Sequence, residues 1–596
     1  MIFKDDYVTI KAKKTIEKGT DTVEFKISGG NEQAVITIEK QYEKDGALYL
    51  DIAMTQPEPR VPEKFMVEWK VPMGDCYSIW SPDIRNGRAL GMNWSKRTTS
   101  SRLGNWMPLH GCLTKSGQNR IMVAVSDAKN PISIASGVCE EDACIDFRVT
   151  FFTQQVAPLT SYKATIRIDL RDVPYYDSIY DAVSWWEMAC GYTPAPVPDG
   201  AKLPVNSLWY SYHQNLDVEA VVAECKLSKP LGMDVVIIDD GWQTEDSNRG
   251  YSYCGDWEVA SSKIPDMKEF IAKIHETGMK AMLWYSMPYV GIHSKNYDRF
   301  KTMFLDEVGN GRNFWALDPR YPEVRAFLIG LYTDALKNWD LDGFKLDFID
   351  AFVLRGKSLE PDVRRDYESL EEAVDVLMTD VTKALSAIKP DILLEFRQTY
   401  VGPAIRKYGN MLRVMDCPGS CLTNRNEIVN LRLTSGNTAV HSDMLMWGYN
   451  APVEAAAMQL ANVLFAVPQV SMKLAKLPDD HKKMLAYYLS FWKENRETLL
   501  DGKLTAKASE GSYSQARSQK DDAAIVVAYN DTVVALSGAK TLVAVNASGE
   551  EELIIKGAKG FSYRVVNCMG DTLSSGTIGE ALVAIAVPVA GMVFVE

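Results

Sequence analysis

The chain has 596 residues, 46% hydrophobic and 24% charged, a globular composition too long for one ordinary core; a rough allowance of ~150 residues per domain gives three or four units. Its net charge of −13, without a sustained run of Lys and Arg, argues against a polyanionic partner such as nucleic acid, because phosphate binding needs clustered cations. No stretch approaches the roughly 20 apolar residues of a membrane span, so no membrane partner is expected. The ten cysteines lack Cys-x2-Cys spacing, and the one close pair near candidate chemistry, Cys417 and Cys421, is expected to be two ordinary half-buried thiols. Residues 1–7 lack the charged and apolar regions of a signal peptide, which implies a cytoplasmic protein if the chain is complete and a periplasmic or secreted one if a signal has been removed.

Up to about residue 170 the sequence reads as short alternating strands, for example 21–27, 33–38 and 143–150, with no helical pattern between them; a β-sandwich is expected. A short amphipathic stretch at 180–191 and the Pro-rich run 193–200 follow as a linker, so the first domain is taken as 1–195. Strands and helices then alternate. Strand candidates fall at 208–212, 234–238, 280–285, 343–348, 392–396, 411–416, 438–442 and 467–472, and helical patterns at 266–277, 324–339, 370–388, 455–465 and 481–499. Eight such units in roughly 300 residues fit a (β/α)8 TIM barrel over 196–502. Short strands return at 523–529 and 591–596, which predicts a small C-terminal β-sandwich over 503–596. The expected fold class is multidomain α/β, a central barrel flanked by two β-sandwiches.

Active sites of such barrels lie at the C-terminal ends of the strands. Here those ends carry Asp239, Asp240 and Trp242, then Trp284, Lys345 with Asp347, Glu395 with Arg397, Arg413 with Asp416, and His441 with Asp443. One acid at a strand end reads equally well as a helix cap, but acids on five strands converge on one pocket. Several carboxylates with aromatics and no metal-ligand spacing suit sugar chemistry, in which one carboxylate attacks the anomeric carbon and another protonates the leaving oxygen. No cofactor or metal is expected. Lys345 and Asp347, two residues apart on a strand, leave from the same side, and the cation would keep Asp347 ionised as a nucleophile requires. Asp239 and Asp240 precede the turn at Gly241 and can accept hydrogen bonds from neighbouring hydroxyls, or cap a helix or bind calcium. Trp242 can stack on a sugar or simply pack in the core.

The segments Ile237 to Gln243 (Ile-Ile-Asp-Asp-Gly-Trp-Gln), Asp342 to Asp347 (Asp-Gly-Phe-Lys-Leu-Asp), Arg413 to Asp416 and Ala439 to Ser442 resemble the clan of retaining α-galactosidases, within it the large bacterial and plant type (glycoside hydrolase family 36-like) that includes raffinose-synthase-like enzymes. The resemblance covers the barrel and the domain order. It implies that Asp347 is the nucleophile, Asp416 the general acid/base, Asp239 and Asp240 binders of sugar hydroxyls, and Lys345 and Arg413 further sugar contacts; Trp242, Trp284, Glu395, Arg397, His441 and Asp443 complete the expected substrate site. The chain departs from the clan where Phe348-Ile-Asp350 follows the nucleophile and where Glu395 to Tyr400 replaces a Cys and a Gly-rich loop. Arg413 and Asp416, three apart, would face opposite ways on an ideal strand, so a bend near Pro418 must turn one of them.

The leading expectation is a retaining exo-acting α-glycosidase acting on an oligosaccharide or glycoside, with preference for α-galactosides or a close relative such as β-L-arabinopyranosides. The alternatives are a galactosyl-transferring transglycosylase, toward which Gln243 leans, a non-catalytic carbohydrate-binding barrel and a metal-dependent barrel enzyme. The oligomeric state is left open.

Overall fold

A computed structural model of the chain describes residues 10–18, 21–309, 311–355 and 360–596. The N-terminal region folds into two six-stranded antiparallel sheets. Alternation in the sequence becomes alternation in burial: along Phe65–Pro72 the residues Phe65, Val67 and Trp69 point inward, and they meet Phe147, Val149, Leu50, Ile52 and Ile166 between the sheets.

Eight parallel strands close the barrel: β1 (Val205–Ser207), β2 (Val235–Ile238), β3 (Lys280–Ser286), β4 (Gly343–Asp347), β5 (Leu393–Arg397), β6 (Met411–Arg413), β7 (Ala439–Leu445) and β8 (Val467–Val470). The expected barrel is present, with β1 corrected. Pairing with β2 ends at Ser207, and Trp209–Tyr212, whose aromatic content reads as strand, forms one helical turn instead. Two further helices were not expected. Val218–Leu231 is capped by Asp217, whose side chain accepts from the Ala220 amide. Cys421–Thr434 has no apolar stripe, because it is buried on nearly every side and fills much of its surface with Asn424, Arg425, Asn426, Glu427, Asn430 and Arg432.

The last helical turn, Arg496–Asp501, is followed by strand Lys503–Ser509, the first of a seven-stranded sheet that packs with a three-stranded one over Leu553, Ile555, Val565 and Val593. All ten cysteines are free thiols. Helix Cys421–Thr434 is one place where all three domains meet. Asn430 Nδ2 donates to the carbonyls of Ser81 (3.0 Å) and Pro82 (3.2 Å) in the N-terminal domain, and its side-chain oxygen accepts from Tyr513 of the C-terminal sheet. Arg425 donates to Ser512 Oγ at 2.8 Å.

Gly343 opens β4 opposite Leu393 of β5, and a Cβ there would overlap the Leu393 carbonyl oxygen and Cβ. Since both neighbours belong to a barrel strand and cannot swing away, Gly343→Ala should destabilise the fold by about 1–3 kcal/mol, the usual cost of overpacking. A thermal unfolding midpoint equal to the parent's would show that the two strands can part.

Candidate active site

On β4 the alternation of Gly-Phe-Lys-Leu-Asp turns Phe344 toward Tyr285 and Tyr332 outside the barrel and Lys345 and Asp347 toward its interior. Lys345 Nζ donates to Asp239 Oδ2 at 2.6 Å, so its direct ion partner is the β2 acid. Asp347 is instead gripped chiefly by the end of β5 and the segment after it. Arg397 Nε donates to its Oδ1 at 2.8 Å, the Tyr400 hydroxyl donates to the same oxygen, and so does the Phe348 amide at 2.9 Å. Oδ2 takes one donor, Trp284 Nε1 at 3.1 Å. Burial alone would raise this carboxyl's pKa, but the charges of Arg397 and Lys345 with the Tyr400 and Trp284 hydrogen bonds outweigh it and hold Asp347 well below the usual carboxylate range. It is therefore an ionised carboxylate at 6% exposure, with one oxygen crowded by donors and the other nearly open.

Across the barrel, the fully buried Arg413 gathers three acids. Its guanidinium lies 2.6 Å from Asp443 Oδ1, 2.8 Å from Asp416 Oδ1 and 3.7 Å from Glu395 Oε1. Asp443 is saturated, because its Oδ2 also accepts from the Tyr210 hydroxyl at 3.0 Å and the Cys417 amide at 2.6 Å. Glu395 is fully buried and receives Gln469 Nε2 at 2.5 Å; burial pushes its pKa up. Only Asp416 keeps a face to solvent, with 49% of its side chain exposed. Burial acts to raise its pKa, and the charges of Arg413, Arg397 and Lys345 pull it below the ordinary value against the repulsion of Asp347. Because β6 ends at Arg413, Asp416 lies on irregular backbone and turns back to the arginine three residues before it, as the clash of strand geometry requires.

Asp239 and Asp240 follow β2 and are almost fully buried. Asp239 Oδ1 accepts from the Asp240 amide, while Asp240 is flanked by Gln214 on Oδ2 and Gln243 on Oδ1, each at 2.7 Å. Gln243 thus serves to hold Asp240, which explains it without reference to a transfer reaction. Burial lifts the Asp240 carboxyl to about 6, opposed by the Gln243 and Gln214 hydrogen bonds and reinforced by Asp239.

Two expected contacts are corrected. Trp242 is 0% exposed, packed among Trp257, Tyr285 and Trp339 with its indole N–H on the Trp284 carbonyl at 2.8 Å, so it shapes the wall from behind and offers no stacking face. His441 is withdrawn into the barrel. Its Nε2 meets the Ala201 carbonyl at 2.8 Å, in the turn that plugs the opposite end, and burial lowers its pKa to about 4, so the ring is neutral. The aromatic surface near Asp347 comes from elsewhere: Tyr251, in the long segment after β2, stacks with Trp284 (centroids 6.4 Å) and meets Phe348 edge-on at 5.0 Å, and the charges of Asp347 and Asp240 both act on its hydroxyl. Tyr251 and Tyr400 were missed because both lie on loops, outside any strand register. The cue available for Tyr400 was its place three residues beyond Arg397, at the end of a strand already rich in charge.

Residues 203–416 match the family model described as Melibiase. Among curated relatives, Alpha-galactosidase Mel36A of Lactobacillus acidophilus is 24% identical over 332 residues, 50% of this chain and 42% of the relative, and Alpha-galactosidase AgaA of Geobacillus stearothermophilus is 23% identical over 313 residues, 49% and 41%. A galactosaminidase acting on A type blood alpha-D-galactosamine, from Flavonifractor plautii, is 26% identical over 175 residues, 26% of this chain and 15% of the relative. The aligned chain thus spans less than half the length of these relatives. The fold matches that of the GH36 alpha-galactosidase AgaA from Geobacillus stearothermophilus in complex with raffinose, with a TM-score of 0.66 at 15% identity over 96% of this chain and 81% of that one. The same enzyme in complex with stachyose gives 0.64 at 14% identity, covering 98% and 84%. The resemblance to the α-galactosidase clan read from the β2 and β4 motifs is thus repeated in the family model, in the relatives and in the fold.

The raised pKa of Asp240 carries a sign. As pH falls through about 6 this carboxyl takes up a proton and loses an acceptor, so kcat/KM on an α-galactoside should fall there. Asp240→Asn should lower kcat/KM throughout and remove that limb from the pH profile. A limb that stays in place in the variant would assign it to another group.

Proposed function

We propose, on the premise that residues 203–416 match the Melibiase family, that this chain is a retaining, exo-acting α-glycosidase, most suited to α-galactosides. The observation that carries the reading is the unequal loading of Asp347: three donors fix Oδ1 and hold the charge, while Oδ2, with one donor, keeps lone-pair density for attack on an anomeric carbon.

In the proposed double displacement Asp347 Oδ2 forms a bond to C1 as the bond from C1 to the leaving oxygen breaks, and Asp416 gives that oxygen its proton. Water then attacks C1 from the side the leaving group has vacated, Asp416 takes the water's proton, and Asp347 departs as a carboxylate. Asp416 is suited to both steps because it is open to solvent on one side and paired with Arg413 on the other. With the site empty, Arg413 favours the ionised base; a bound sugar displaces water from the open face, which raises the carboxyl's pKa toward the acid form. Asp443 and Glu395 are poor alternatives, since both Asp443 oxygens are taken by donors and Glu395 is fully buried. The paired acids Asp239 and Asp240, with Lys345 between Asp239 and the nucleophile, form the hydroxyl-binding side, and the half-buried Tyr251, stacked on the buried Trp284, offers the face for the apolar side of a pyranose. The raffinose and stachyose complexes of the structural neighbours support terminal α-galactosides as the first substrates to try.

A panel of aryl α-glycosides differing at C2, C4 and C5 tests the sugar, and NMR of the first-formed anomer tests retention: α product supports the reading and β product refutes it. Asp416→Ala should cleave a nitrophenyl glycoside much better than an oligosaccharide, by about 100-fold or more in relative rate, because a nitrophenolate leaves without protonation. Azide should then restore its turnover as the α-glycosyl azide. Asp347→Ala should be inactive on both substrates, and azide should yield only the inverted β product.

A further inference from the structure

We propose that Glu427 is a positioning residue for Asp416, fixing the turn that carries this carboxylate by holding the Met415 amide; the inference rests on Asp416 being the acid/base. Glu427 lies on the buried helix Cys421–Thr434, is 1% exposed, and accepts the Met415 N–H on Oε2 at 2.9 Å. Gln398 Oε1, from the segment after β5, accepts the same N–H at 3.0 Å, and the Gln398 amide donates to the Arg413 carbonyl at 2.9 Å. On the other side of Asp416 the Cys417 amide is held by Asp443 Oδ2. The amide N–H groups of the residues on either side of Asp416, Met415 and Cys417, are therefore held by buried carboxyls, whereas its own side chain is half exposed and has Arg413 as its ion partner.

A neutral acceptor would satisfy one amide at less cost than a buried acid. Asp443 from β7 and Asp83 from the N-terminal domain both oppose ionisation of Glu427, Arg85 beside Asp83 favours it, and burial, the largest influence, pushes the carboxyl up to about 7. The acceptor oxygen of Glu427 fixes the backbone one residue before Asp416, where a small shift of the carboxyl decides proton transfer. Its helix is pinned to the N-terminal domain through Asn430 and to the C-terminal sheet through Arg425, so the flanking domains set the height of the turn above the barrel.

The test compares Glu427→Met, which fills the volume without an acceptor, with Glu427→Gln, which keeps one. Each is assayed on an oligosaccharide and on a nitrophenyl glycoside of the same sugar. The ratio of the two rates does not depend on how much enzyme is folded. Glu427→Met should lower the oligosaccharide rate relative to the aryl rate by about 10- to 100-fold, as displacement of a catalytic group by a fraction of an ångström to 1 Å does, and Glu427→Gln should restore the parent ratio. Equal loss on both substrates, or a Gln variant as impaired as the Met variant, overturns the inference. Should Glu427→Met fail to fold, Gln398→Met removes the other acceptor and must shift the same ratio. Asp416→Ala run alongside separates the two failures: if it discriminates between leaving groups and Glu427→Met does not, the positioning role is wrong, and if neither does, the acid/base assignment falls as well.

Discussion

A guanidinium sealed inside a barrel needs compensating charge from every direction, and Arg413 obtains it from three strands at once: Glu395 on β5, Asp443 on β7 and Asp416 just past its own strand. Removing Asp443, its closest and fully buried partner at 2.6 Å, would break a buried ion pair, at a cost of several kcal/mol for such a group. The arrangement therefore constrains which strands stand beside which, and it divides the acids by duty. The two that are fully buried neutralise the arginine, which leaves the third, at the solvent edge, with a fixed partner and a free face. A parallel division holds on the other wall, where Lys345 is committed to Asp239 and Arg397 to Asp347.

The flanking domains take part in this geometry. From the N-terminal sandwich, Arg102 donates to the carbonyls of Asp350 at 2.7 Å and Phe352 at 3.1 Å, and the Trp106 amide donates to the Thr399 carbonyl at 2.7 Å. These bonds brace the two segments, after β4 and after β5, that supply Phe348 and Tyr400 to the nucleophile. Gly104 and Gly402 permit the close approach, since a side chain at either would run into the facing backbone.

How much of this could be read from residue order depends on the range of the interaction. The β4 segment was legible because period-two alternation and a glycine mark a strand, and because Lys345 and Asp347 are separated by a number that places them on one side. The barrel's helices with an apolar face were legible for the same kind of reason. Helix Cys421–Thr434 was not, because its polar residues are buried against two other domains and its periodicity carries no solvent face to detect. The site shows the same split. Asp347 and Arg413 end their strands and Asp416 follows one, so position alone marks them as candidates, while the contacts of Arg397 and Tyr400 with Asp347 join residues some fifty apart in sequence. Trp242 reads from sequence as either a sugar platform or a core residue, and only its packing against Trp257, Tyr285 and Trp339 distinguishes the two.

The three donors on Asp347 Oδ1 also bear on the second half of the proposed reaction. A carboxylate made strongly acidic by its surroundings is a weaker nucleophile than an ordinary one, and by the same measure a better nucleofuge. Once Oδ2 is esterified to the sugar, Oδ1 becomes the ester carbonyl, and Arg397, Tyr400 and the Phe348 amide are already in place to receive the charge that returns to it on departure. In the proposed reaction these surroundings would slow formation of the glycosyl ester and shorten its lifetime, and tight orientation of the incoming sugar would have to offset the first barrier.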